Sequence, residues 1–98
     1  MYRHGDVLIA PIDRIPADAR PHPGAVVAHG EATGHSHRFE QPPAVALFRR
    51  GDQLFVEVLA DSARIVHEEH HAIDVPRGTY RVWRQREYSP AEIRIISD

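Results

Sequence analysis

The chain has 98 residues, a formal charge of −2 and no cysteine. That length suits one domain over residues 1–98, with a core that has little to spare. The missing thiols exclude disulfides, cysteine nucleophiles and cysteine-type zinc sites, and the slight acidity argues against a general nucleic-acid binder.

Residues 5–12 (G-D-V-L-I-A-P-I) predict a first strand behind a Gly-Asp turn. Residues 14–24 hold three prolines and no clean period, so a loop or an extended crossing is expected there. Residues 25–29 predict a short second strand, 30–34 a flexible approach to His35, and 36–40 a third strand. Pro42-Pro43 breaks the chain. Residues 44–49 and 53–59 predict a hairpin joined by Arg50-Gly51-Asp52.

A turn at Ala60-Asp61-Ser62 is expected to lead into a histidine-rich strand, closed by a second turn at Pro76-Arg77-Gly78. Residues 79–88 predict a long strand. Ser89-Pro90-Ala91-Glu92 resembles a helix-capping box. The β-branched residues after it favour a single helical turn or a last strand. Seven to nine short strands of this kind predict an all-β fold, a small single-domain β-barrel or sandwich with minimal helix. No apolar run approaches the length needed to cross a bilayer, and the first residues do not form a signal peptide. A soluble, cytoplasmic protein without membrane contact is expected.

Histidine is the compositional outlier. The eight imidazoles, all protonated, would turn the formal −2 into +6. Five of them fall in two groups, His35/His37 and His67/His70/His71. Read with period 2, Ile65, His67, Glu69, His71, Ile73 and Val75 share one face, apolar at both ends. Imidazoles and carboxylates on such a face are costly unless they are paired or hold a metal. His-x-His on a strand sets two rings on one side about 7 Å apart, and Phe39 on the same side makes that side the inner one.

Converging, His35, His37, His67 and His71 form a metal-ligand set, with Glu69 as a fifth ligand or general base. A bulge at Glu68 or Glu69 would bring in His70 in place of His71. Such donors suit Zn²⁺, Fe²⁺, Ni²⁺ or Mn²⁺. An open coordination position would supply a Lewis acid and an activated water. Against this stands the plainer view that His35 and His37 are two surface histidines brought together by chance, with residues 67–71 a charged edge strand that blocks aggregation. His4, His22 and His29 have no comparable context and are expected at the surface.

The letters H-E-E-H-H satisfy the H-E-x-x-H metalloprotease pattern, but that motif needs a helix and β-formers flank this one. Gly30, His35-Ser36-His37 and Glu40 resemble the first cupin motif, each spacing one residue short, and Pro76-Arg77-Gly78 resembles the Pro-x-Gly turn of the second. The cupin resemblance covers residues 30–81 and implies a double-stranded β-helix with metal inside, held by His35, His37 and Glu40. Arg81 stands where that family has its last histidine ligand. The chain also resembles small uncharacterised bacterial proteins that combine G-D-V-L, G-H-x-H, H-E-E-H and Q-R-E-Y segments, a resemblance that implies no activity.

Arg77, Arg81, Arg84 and Arg86 alternate with Tyr80, Trp83 and Tyr88. Planar donors beside stacking faces could hold a small anionic substrate near Arg81 and Arg84. Ordinary alternation, with the arginines paired to Glu57, Glu87 and Glu92, explains the pattern as well. Two functions follow from the sequence. One is a divalent-metal-binding barrel, extended to a metal-dependent hydrolase with Glu69 as base. The other is a non-catalytic accessory or structural protein, in which a homo-oligomer carries a pH-responsive histidine patch.

Overall fold

The structure, a computed structural model, describes residues 1–30 and 34–85. Its strands are β1 (Tyr2–His4), β2 (Val7–Pro11), β3 (Arg20–His22), β4 (Val26–His29), β5 (Ser36–Phe39), β6 (Val45–Arg50), β7 (Gln53–His67) and β8 (His70–Arg84). One turn of 3-10 helix at Pro42–Ala44 marks the chain break expected at Pro42-Pro43. The fold is all-β, as the turn spacing predicted. No described helix is long and apolar enough to cross a membrane.

Strand β7 organises the sheet. It pairs with β8 along most of its length, with β6 through residues 53–58 and with β5 through residues 65 and 66. The sheet therefore forks, in the order β1-β2-β8-β7-β5-β4, with β6 and β3 branching from the first half of β7. It also curls. His4 in β1 reaches His37 in β5, and the Arg84 guanidinium in β8 donates to the His29 carbonyl in β4, 2.8 Å away. Each outer strand of the path is thus reached across the curl, β1 by β5 and β4 by β8.

The inner face follows the apolar alternation. Leu54, Val56 and Val58 are buried on β7, as are Val7 and Ile9 on β2, Phe39 on β5, and Tyr80 and Val82 on β8. Each such side chain contributes about 1.5–3 kcal/mol through apolar area removed from water. The alternation changes phase once on each long strand, since Ala63 and Ile65 are the buried residues further along β7, and Val75 the one on β8. Val58 pairs with Gly78 and Ser62 with Pro76, so residues 59–61 face Arg77 alone. This bulge shifts the phase without ending either strand. The Tyr80 hydroxyl donates to the Pro76 carbonyl at 2.6 Å and spans the kink on β8.

Two expected turns are thereby corrected. Ala60-Asp61-Ser62 lies inside β7, and Pro76-Arg77-Gly78 lies inside β8. The reversal between them is at Glu68-Glu69, because His67 pairs with His70. Residues 63–75 are thus two strands and a turn. Their common face (Ile65, His67, Glu69, His71, Ile73, Val75) does not exist. Strand β1 was not expected, nor was β3 within the proline-rich crossing. The strand residues after Gln85 and the capping box at 89–92 lie outside the described residues, as do residues 31–33 of the approach to His35.

Two of the hairpins share one device. Gly5-Asp6 joins β1 to β2 and Gly51-Asp52 joins β6 to β7, each with glycine in the left-handed region (φ 63° and 60°) and His4↔Val7 or Arg50↔Gln53 as the last pair. Glycine first in a two-residue loop is the II′ solution, whose twist matches the strands. The Glu68-Glu69 loop has no positive φ. Its strand ends therefore splay, and β8 takes up the mismatch with one extra residue between the pairs Ile65↔Ile73 and His67↔His70.

Candidate metal centre

The hairpin ends bring histidines together from four strands. His4 closes β1, His37 stands in β5 with His35 just before it, His67 closes β7 and His70 opens β8. Ring centroids lie 4.4 Å apart for His37 and His67, 4.7 Å for His67 and His70, and 5.4 Å for His37 and His70. One ligand nitrogen from each of these three falls within 4.8 Å of the other two. His37 is buried, His67 half-buried and His70 open to solvent, so the trio runs from the interior to the surface.

The remaining predicted residues surround this trio. His35 sets its ring 5.6 Å from that of His67, and its Nδ1 lies 3.8 Å from Glu69 Oε1. Glu69 is exposed at the hairpin tip. His71 is also exposed and contributes its backbone carbonyl, which accepts from His4 Nε2 at 2.9 Å. The extra β8 residue next to this reversal is why His70, and not His71, turns its ring toward His67.

Two residues were missed. His4 was expected at the surface but is 2 % exposed, and its Nδ1 lies 2.9 Å from that of His37. A legible signal existed, since a Gly-Asp loop pairs residue 4 with residue 7, and Val7 begins an apolar strand. Asp6, in that loop, lies 3.5 Å from His37 Nε2 through Oδ1 and holds Arg84 through Oδ2 at 2.9–3.0 Å. Arg84 thus pairs inside the site, while Arg81 lies over the Trp83 ring.

Burial depresses both inner histidines. It is the main cause pushing His37 down to about 4, with the neighbouring imidazoles of His67 and His4 adding to it and Asp6 opposing. His4 is lowered for the same reason, against the pull of the His71 carbonyl. Near neutral pH both rings are uncharged, the form in which imidazole binds metal.

Glu68 positions the hairpin. Its Oε1 accepts from the Ser36 amide at 3.1 Å and its Oε2 pairs with Arg38 at 3.0 Å, tying the β7–β8 tip to β5. Its own backbone amide, then that of Ser36, then Arg38 hold its carboxyl down to about 2 from the usual 4.5. A depressed carboxyl contributes stability that is fully present above about pH 4.5 and is lost as pH falls through about 2. In thermal melts across that window, Glu68→Gln is expected to flatten the acid-induced loss relative to wild type. Equal slopes would show that the latch carries no linkage.

Gly5 permits the close approach. A Cβ there would stand 2.7 Å from His70 Nε2 and 3.0 Å from His37 Cε1, on a backbone at φ 63°. Gly5→Ala is expected to cost about 1–2 kcal/mol in backbone strain and to swing the exposed His70 ring away. Metal affinity should then fall by more than that strain explains, which calorimetry and a denaturant melt of the same variant would separate.

No curated protein and no solved structure matches the chain. Residues 3–85 match the family described as a domain of unknown function (DUF8820), and the chain belongs to that family.

Proposed function

We propose that the protein binds one divalent metal ion through His37, His67 and His70. The observation behind this is the convergence of three imidazole nitrogens from three strands within 4.8 Å. Zn–N bonds of about 2.0–2.1 Å set two nitrogens of a tetrahedral site about 3.3 Å apart. Ring rotation at the half-open mouth covers that difference. Three neutral donors leave a fourth position open, the arrangement of catalytic rather than structural sites. An all-imidazole set suits Zn²⁺, Fe²⁺ or Ni²⁺ better than Mn²⁺. Of the first cupin-like motif, only His37 enters this trio.

A catalytic extension draws on the Glu69–His35 pair at the same mouth. An ion with an open position lowers the pKa of bound water, and in this reading Glu69, paired with His35 beside His67, takes its proton. Elemental analysis of protein purified without a His-tag tests the binding proposal. About one ion per chain is expected, lost in a His35→Ala/His37→Ala double variant. A chain that stays metal-free at micromolar Zn²⁺, Fe²⁺ and Ni²⁺, yet forms an oligomer whose contacts weaken below about pH 6, would replace it with the non-catalytic, pH-responsive alternative.

A further inference from the structure

His4 and His37 are the two buried polar residues at the end where the trio converges, and their contacts fix where the protons sit. The His71 carbonyl can only accept, so His4 Nε2 carries hydrogen. Only one proton fits between the two Nδ1 atoms 2.9 Å apart. Were it on His4, that ring would be an imidazolium at 2 % exposure, a charge that burial penalises heavily. It therefore belongs to His37, whose Nδ1 donates to His4. With Nδ1 so engaged, the neutral His37 ring has a bare lone pair on Nε2. That lone pair lies on the side of Asp6, whose Oδ1 is 3.5 Å away.

We propose that His4 is a positioning residue for the metal site: by accepting the His37 Nδ1–H it presents His37 Nε2, beside Asp6, as the ligand atom. This rests on the metal-binding proposal above. Metal-bound histidines elsewhere donate their second nitrogen to a carboxylate, carbonyl or water. Here a second histidine takes that part and passes the polarity on to a backbone carbonyl. Asp6, held by Arg84, stands beside His37 Nε2 and outside the three-nitrogen group.

Long-range ¹⁵N–¹H correlation spectra of the metal-free wild-type protein read the tautomers directly. The expected result is His37 as the Nδ1–H form, the less common one for free imidazole, and His4 as the Nε2–H form. His4→Phe keeps the ring bulk and removes the acceptor, so His37 should revert to Nε2–H and Co²⁺ affinity should fall about 10- to 100-fold. His4→Gln keeps one acceptor and one donor and should hold His37 closer to its wild-type form. Wild-type protein that binds Co²⁺ with His37 as Nε2–H would overturn this inference alone, as would His4→Phe with unchanged tautomer and affinity. Wild-type protein with His37 as Nδ1–H but no uptake of Co²⁺ would overturn the metal reading, and the role given to His4 with it.

Discussion

Replacing His70 with alanine is expected to lower divalent-metal affinity about 100- to 1000-fold while leaving the fold intact. The magnitude follows from four-ligand zinc sites, whose binding free energy of about 10–16 kcal/mol averages about 2.5–4 kcal/mol per ligand, with every 1.4 kcal/mol a factor of ten. His70 separates binding from folding because its ring is open to solvent, whereas His37 is buried against His4 and its loss would disturb the interior. Calorimetric titration of metal-free protein with Zn²⁺ or Co²⁺ gives the affinities, and Co²⁺ adds a visible spectrum sensitive to the ligand set. Wild-type protein should also gain about 2.7 kcal/mol of stability at a free metal concentration 100 times its dissociation constant, a gain His70→Ala should lose at that same concentration. A variant that binds as tightly as wild type would remove His70 from the site.

The largest effect on stability is expected at Ile65. Its side chain is fully buried, and it sits where β7 is paired on both sides, with Phe39 across to β5 and Ile73 across to β8. Ile65→Ala removes buried methyl groups and leaves a void that paired backbones on both flanks resist closing. The expected cost is about 2–5 kcal/mol, a large share of the roughly 5–15 kcal/mol that holds a domain together. Denaturant titration measures it, with Leu59→Ala as the control. Leu59 is 49 % exposed in the β7 bulge, and its truncation should change stability by less than about 0.5 kcal/mol. Similar midpoints for the two variants would mean that the core is organised elsewhere. Ile65 lies two residues before His67, so a loosened Ile65→Ala should also bind metal more weakly.

What could be read from the sequence was what local chemistry controls. Alternating Val, Ile, Leu and Phe marked the strands, and loops with Gly at a left-handed position marked Gly5-Asp6 and Gly51-Asp52. The wrong turns share a cause. Ala60-Asp61-Ser62 and Pro76-Arg77-Gly78 carry turn-forming residues, yet both serve as the two sides of a bulge, because the 15-residue strands pair along their length and that pairing outweighs local preference. The true reversal, Glu68-Glu69, carries no glycine, proline, asparagine or aspartate. It is held by tertiary contacts of Glu68 to the Ser36 amide and Arg38.

The same division applies to the histidines. Their number and the inward side of His37, shared with Phe39, were set by composition and period 2, and so was the all-β class. Which rings meet was decided by the fold. A two-residue reversal pairs His67 with His70, an extra β8 residue sends His71 outward, and the curl of the sheet carries β1 across to β5, so that His4, 33 residues away in sequence, lies against His37. Side-chain direction along a strand depends on a residue's neighbours in the chain. The meeting of distant strands depends on twist, bulges and closure, which are properties of the whole sheet.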